Sequence, residues 1–336
     1  MRIVVIGAGA IGGCLAAYLK KAGEEVLLIG RQDQVDVINQ KGLTITGNRP
    51  TETIRVPVAT RMSEPADLII FAVKTQDMED AFADNADFLD TGLVLTSQNG
   101  VQADNILSCH FDKERQLSSI VMFAATYVKP GEIIYNFDGD WIIGRPFTAL
   151  DPTAHRIAET LSKAFKVVTS TDITGMKYLK LFVNFNNCIP ALVGKSMQET
   201  FADMDMCRLS ILLLKEGVQI IGDCKIELCS IPTFPKEKIL GLTAMPLDQA
   251  AGIINKTMTG LSKELFYGSI LQSILRGKVS EIDFINGEVV QLAKHMKFPC
   301  PLNEKVVDMV HEVERTGKFF TFDQVKKEFK LIITNV

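Results

Sequence analysis

Met1-Arg2-Ile3-Val4-Val5-Ile6-Gly7-Ala8-Gly9-Ala10-Ile11-Gly12-Gly13-Cys14-Leu15-Ala16-Ala17-Tyr18-Leu19 opens the chain and decides its fold. The first six residues are a short apolar run rich in β-branched side chains, as a buried strand requires. A G-x-G-x-x-G turn follows at once, with Gly7, Gly9 and Gly12, and helical spacing then continues until Gly23. Glu25 to Ile29 is a second strand-like run, closed by Gly30 and Arg31. Strand, glycine turn, helix and strand in this order are the first unit of a dinucleotide-binding fold. Gly7 permits the tight turn, Gly9 lets the backbone approach a pyrophosphate, and Gly12 lets helix and strand pack closely. Gly7, Ala8, Gly9, Ala10, Ile11 and Gly12 are therefore the expected phosphate cradle, lying at the positive end of the helix dipole.

The residue after the second strand selects the nucleotide. An acidic side chain there suits the ribose 2′-OH of NAD, whereas an arginine suits the 2′-phosphate of NADP. Arg31 holds that place, Gln32 beside it is neutral, and Asp33 comes two residues late. A guanidinium offers a rigid fork of donors to phosphate. The expected cofactor is NADP(H); the alternative for Arg31 is a solvated loop arginine.

Composition sets the outer bounds. A chain of 336 residues with 47% hydrophobic content is long enough for two domains with cores of their own. The net charge of −4 and the lack of a basic stripe with interleaved aromatics argue against a nucleic-acid partner. No apolar run is long enough to span a bilayer, and the apolar start is too short for a signal peptide. Seven scattered cysteines make no C-x-x-C pair and no metal-ligand spacing with the four histidines. They fit reduced thiols in a cytoplasmic protein. A homodimer is compatible with these features and not required by them.

Further along, Leu43 to Gly47 and Thr53 to Val58 read as an antiparallel excursion. Asp67 to Val73 reads as a buried strand ending in Lys74, and Leu93 to Thr96 as another, ending in Ser97-Gln98-Asn99-Gly100. In open α/β sheets the ligand lies beyond the carboxyl ends of the strands, which is where Lys74 and Asn99 fall. Ser118 to Val128, Glu132 to Phe137 and Asp140 to Gly144 read as strands, Pro152 to Lys166 as a helix, and Val167-Val168 as a last strand. Beyond about Thr174 long helical patterns dominate. The expectation is an α/β domain over 1–172 and a mainly α-helical domain over 173–336.

The second half opens with a helix expected over Gly175 to Ile189 and halted by Pro190. Lys180, Asn184 and Asn187 fall on one face of it, at spacings of four and seven. The rest of the helix is apolar nearly all round, so these polar groups need buried partners, and a ligand can provide them. Met206 to Ile221 and Asp248 to Arg276 are further helical regions. Ser280 and Asp283 look like a capping box for a helix running to about Lys297. On that reading Glu281 is an acid in a first helical turn, favoured by the dipole. Phe320 to Val336 reads as a short helix and an apolar tail, with no evident function.

Taken together, these motifs resemble the ketopantoate reductase (2-dehydropantoate 2-reductase) family over nearly the full length. The resemblance rests on Gly7, Gly9, Gly12 and Arg31, on Lys74 after Phe71-Ala72-Val73, and on Gln98-Asn99-Gly100. It continues in Lys180-Leu181-Phe182-Val183-Asn184 and in Ser269-Ile270-Leu271-Gln272. It ends in Ser280-Glu281-Ile282-Asp283-Phe284-Ile285-Asn286-Gly287. It implies a Rossmann domain followed by a helical domain of the 6-phosphogluconate dehydrogenase-like type. It also implies reduction of a 2-oxo acid, most directly ketopantoate to pantoate in pantothenate biosynthesis, by NADPH. Carried over by position, Lys180 is the general acid and Glu281 assists it near cofactor and substrate. Asn99 and Asn184 hold the substrate, and Ser269 contacts its carboxylate. Cys188 and Gln198 stand where the family usually has asparagine, and Asn187 is a candidate replacement for the first.

Hydride transfer to a ketone builds negative charge on oxygen, which needs a proton donor or an oriented cation. The four histidines sit in no motif, so Lys180 is the best donor, with Glu281 favouring its charged form. Two alternatives stay open: a related NADP-dependent reductase with another 2-oxo acid as substrate, and a non-catalytic NADP(H)-sensing protein. The intact set of Lys180, Asn184, Ser269 and Glu281 argues against the second.

Overall fold

The computed structural model describes residues 1–262 and 264–333; the last three residues of the apolar tail fall outside these. The chain forms two compact units, Met1–Thr174 and the part from Gly175 onward.

The first unit is organised on an eight-stranded sheet. Its strands come from β1 (Arg2–Ile6), β2 (Glu25–Ile29), β5 (Val58–Ala59), β6 (Leu68–Phe71), β7 (Leu93–Thr96), β8 (Gln116–Val121), β11 (Trp141–Gly144) and β12 (Val167–Ser170), in the order β12-β11-β8-β7-β6-β1-β2-β5. From β8 to β5 every pairing is parallel; β11 runs antiparallel to β8. Strand residues alternate between two cores, with Ile3, Val5, Leu68 and Ile70 on one face and Val4, Ile6, Ile69 and Phe71 on the other. Burial on both faces explains why these strands read as unbroken apolar runs. The chain leaves β1 to build β2 on one side and returns to build β6 on the other, so the order reverses at β1. Such a switch point opens a crevice at the carboxyl ends. Ile6 is in register with Ile29 and Phe71, and Phe71 with Thr96, so the loops after four strands start at one level.

Helices α1 (Ala10–Lys21), α2 (Gln32–Lys41), α3 (Met78–Ala83), α4 (Gln102–Ser108) and α5 (Pro152–Ser162) complete this unit with a second sheet. That sheet has the order β4-β3-β10-β9, from β3 (Leu43–Gly47), β4 (Glu52–Ile54), β9 (Ala124–Lys129) and β10 (Glu132–Phe137). It packs on α1. Arg49 fixes it there: its guanidinium lies 4.3 Å from the Tyr135 ring and 4.6 Å from Tyr18, and donates to Asp138 at 2.7 Å.

Two strand expectations change. Thr53 to Val58 is not one strand: Glu52–Ile54 pairs with β3, while Val58–Ala59 joins β2 in the large sheet. Pro57 lies between them and cannot donate to a ladder. Ser118 to Val128 is also two strands, in different sheets. The chain turns at Met122, whose amide donates to Asp140 O at 2.9 Å, and Gly139 packs against the Met122 backbone. An apolar run long enough for two strands carries no mark of where it changes sheets.

The second unit is helical. After α6 (Ile173–Asn184) come α7 (Cys188–Val193), α8 (Met197–Phe201), α9 (Met204–Asp223), α10 (Glu237–Ala244), α11 (Leu247–Thr259), α12 (Ser269–Leu275), α13 (Asn286–Met296), α14 (Pro301–Thr316) and α15 (Phe322–Ile333). The long α9 is buried along most of its length and touches α8, α10, α11, α13, α14 and α15. Its Glu216 accepts from the amides of Leu302 at 3.0 Å and Asn303 at 2.7 Å, capping α14 from outside that helix.

The expected helix Gly175 to Ile189 is corrected here. α6 ends at Asn184, a 3-10 turn spans Phe185–Asn187, and α7 begins at Cys188. Pro190 lies in the first turn of α7, where a missing N–H costs nothing, so it starts a helix and does not stop one. The helical expectation over Asp248 to Arg276 is likewise broken into α11 and α12.

Candidate active site

Two polar side chains, Gln34 and Gln98, lace the expected nucleotide end of the first unit. Gly7 has φ +119°, and a Cβ there would lie 2.6 Å from Val73 N. A Cβ on Gly12 would strike the Gly7 carbonyl oxygen. Gly9 differs: a Cβ there meets nothing within 4 Å. Steric demands of the protein alone thus account for Gly7 and Gly12, whereas the space beside Gly9 is open to a ligand. This fits a dinucleotide pyrophosphate approaching the backbone at the start of α1.

Gln34, which sequence reasoning missed, ties that turn to Arg31. Its buried carboxamide donates to Ala8 O at 2.8 Å and accepts from the Arg31 amide at 3.0 Å. It also donates to Tyr127 Oη at 3.2 Å, from the second sheet. The available signal was an Arg-x-x-Gln spacing at the start of α2, where glutamine at the third helical position reaches back to the amide before the helix. Arg31 itself is 63% exposed, with Asp33 at 3.5 Å.

Gln98 does the same for Lys74 and Asn99. Its buried carboxamide donates to Phe71 O at 3.0 Å and Val73 O at 2.9 Å and accepts from Ser97 N at 3.0 Å. It thereby joins the ends of β6 and β7. Lys74 precedes a 3-10 turn over Thr75–Asp77, and Asn99 precedes Gly100, at φ +80°. Both are partly exposed at the carboxyl edge of the sheet.

In the second unit, Lys180 stands on α6 one turn before Asn184. Desolvation by its surroundings pulls its pKa from the ordinary 10.5 down to about 8. Asn184 and Asn187 are partly exposed, whereas Asn186 between them is buried and accepts from Ser210 Oγ on α9 at 2.6 Å. The 3-10 turn carries Asn187 to α12: a Cβ on Gly268 would lie 2.6 Å from Asn187 Oδ1. Asn187 therefore sits against the residue immediately before Ser269, which opens α12.

Glu281 is not in a first helical turn, and the capping box is absent. A 3-10 turn over Ile282–Phe284 follows it, and α13 starts only at Asn286. Ser280 Oγ instead accepts from Ile282 N at 3.3 Å. The helix-dipole explanation for Glu281 is thereby removed.

The two positions where asparagine was expected, Cys188 and Gln198, are both held by contacts within the protein. Cys188 is fully buried; its thiol donates to Phe185 O at 3.1 Å and lies beside the Asn286 carboxamide, and burial pushes it up to about 12. Gln198 holds the loop before α12, donating to Glu264 O at 2.8 Å and accepting from Phe266 N at 3.0 Å.

Among the described residues no helix is long and apolar enough to cross a membrane. The family model described as ketopantoate reductase PanE/ApbA matches residues 3–146, and its C-terminal counterpart matches residues 172–314. The 2-dehydropantoate 2-reductase of Pyrococcus horikoshii is 28% identical, over 94% of this chain and 99% of its own. That of Archaeoglobus fulgidus is 26% identical, over 93% and 98%. A PanE/ApbA family ketopantoate reductase from Ralstonia eutropha JMP134 superposes with a TM-score of 0.79 at 25% identity, over 94% of this chain and 99% of that one. D-mandelate dehydrogenase, solved with NADH and anilino(oxo)acetate, shares the fold at a TM-score of 0.80 and 22% identity, over 94% and 99%. With both family models matched in order along most of its length, the chain belongs to the ketopantoate reductase family and is an oxidoreductase.

Proposed function

We propose that the chain reduces 2-dehydropantoate (ketopantoate) to pantoate with NADPH, and that Lys180 donates the proton. The observation that carries the reaction class is the place of Lys180 on α6, one turn before Asn184, in surroundings that desolvate it and pull its pKa down to about 8. A donor tuned towards the working pH transfers its proton best. The names of the relatives support ketopantoate as the substrate.

When bound, the nicotinamide supplies the hydride. In this reading Gly7 to Gly12 cradle the pyrophosphate and Arg31 pairs with the 2′-phosphate. Lys74 and Asn99, at the ends of β6 and β7, line the same nucleotide, and Asn99 also reaches the substrate. The Lys180 ammonium attracts the ketone oxygen, stabilises charge as it develops there, and protonates it. Asn184 and Asn187 orient the substrate, and the Ser269 hydroxyl donates to its carboxylate. Glu281 favours the protonated form of Lys180.

The test is a panel of 2-oxo acids, including ketopantoate and phenylglyoxylate, scored by oxidation of NADPH and of NADH. Ketopantoate with NADPH should give the highest kcat/KM. A higher value with another acid supports the altered-substrate reading. Absence of turnover across the panel, with NADPH bound, supports the sensor.

A further inference from the structure

Glu281 sits in a segment held at both ends by one pair of side chains on α14. The Ser280 amide donates to Glu314 Oε1 at 2.7 Å. Two residues past Glu281, Asp283 Oδ1 pairs with His311 Nε2 at 2.9 Å. The circle closes through His311 Nδ1, 3.0 Å from Glu314 Oε2. Ile282, between the two anchors, is fully buried. The proposed role of Glu281 did not use this arrangement, and the histidine sits in no sequence motif.

The chemistry of the ring gives the arrangement a condition. A neutral imidazole has one N–H and can donate to one carboxylate; only the imidazolium donates to both. Asp283 from the 3-10 turn and Glu314 from its own helix are the charged groups acting on the ring. Burial pulls the ring towards neutrality, but the hydrogen bonds and charges of Glu314 and Asp283 outweigh it and raise its pKa above 6.5. With a raised folded pKa, the contribution to stability is complete below the unfolded value and is lost as pH rises through the folded one.

We propose that His311 is a positioning residue: as an imidazolium bridging Asp283 and Glu314, it clamps the segment that presents Glu281 to the active site. The proposal rests on the site role given to Glu281 above. His311 touches neither substrate nor cofactor in this account. Deprotonation leaves one of the two carboxylates without its His311 donor and loosens the clamp on one side.

Two readouts on the full-length protein test it. The first is hydrogen exchange at 280–284, corrected for intrinsic rate, at pH 6 and pH 9. Wild type should lose protection at the higher pH, by about tenfold for one charge-assisted hydrogen bond. His311→Ala should lack the protection at both pH values, and His311→Lys, which keeps its charge, should retain it at both. The second is the pH profile of kcat. A step present in wild type and absent from both variants supports the positioning role, with His311→Lys keeping the higher rate. Exchange that does not respond to His311→Ala overturns the clamp. Exchange that responds without any change in the kcat profile overturns the positioning role. If no 2-oxo acid is turned over, the proposed function fails separately, and exchange still decides the clamp.

Discussion

Within the glycine turn, two residues of the same type answer to different constraints. Gly12 is required by the protein, because any Cβ there strikes the Gly7 carbonyl. Gly9 has an extended backbone that other residues adopt readily and open space where a Cβ would go. Gly12→Ala should therefore destabilise the ligand-free protein by about 1–3 kcal/mol, as overpacking does. Gly9→Ala should cost at most about 1 kcal/mol, the weaker cap preference of alanine. It should nonetheless weaken NADPH binding at least tenfold. Urea unfolding and a fluorescence titration with NADPH separate the two effects; equal loss of stability in both variants contradicts the assignment. Arg31 makes a second case. Arg31→Ala should weaken NADPH by about 1.5–3 kcal/mol, the worth of a charged hydrogen-bonding partner, and leave NADH nearly unchanged. Equal loss for both nucleotides in the same titration refutes the phosphate role of Arg31.

Between elements, the connections depend on side chains that composition and periodicity do not flag. β1, α1, β2 and β7 were legible because apolar runs, glycine stops and helical spacing agree there. Lys74 and Asn99 could be placed at strand ends for the same reason. Gln98 was not legible, because a glutamine becomes informative only when the carbonyls it reaches are known; for Gln34 the Arg-x-x-Gln spacing signals the bond to the Arg31 amide but not those to Ala8 O and Tyr127 Oη. The break at Phe185–Asn187 was hidden as well: nothing in Phe185-Asn186-Asn187 forbids helix, and Pro190 is as much a helix starter as a stopper. Glu281 shows the opposite error, a plausible capping pattern overridden by buried Ile282 and by the contacts of Ser280 with α14. Gln98→Leu tests the lacing of β6 to β7. It leaves Val73 O without its Gln98 donor and should destabilise the protein by about 1–3 kcal/mol. It should also raise KM for NADPH, because Lys74 and Asn99 follow the two strands it joins. A change in urea midpoint with KM unaltered would mean that Gln98 serves the fold alone.

Across the whole molecule, the proposed labour divides between the two units. The first carries the glycine turn, Arg31, Lys74 and Asn99; the second carries Lys180, Asn184, Asn187, Ser269 and Glu281. A change at Lys180 should then affect the chemistry and spare the nucleotide. The most direct measurement is steady-state NADPH oxidation with saturating ketopantoate, for wild type and Lys180→Ala, alongside NADPH affinity. At limiting ketopantoate, wild-type kcat/KM should fall as pH rises through about 8, where the ammonium of the free enzyme becomes an amine. At saturation the alanine variant should lose roughly 10²–10⁴ in kcat, with NADPH affinity nearly unchanged. A Lys180→Ala enzyme that keeps most of its turnover would contradict the role of Lys180 as proton donor.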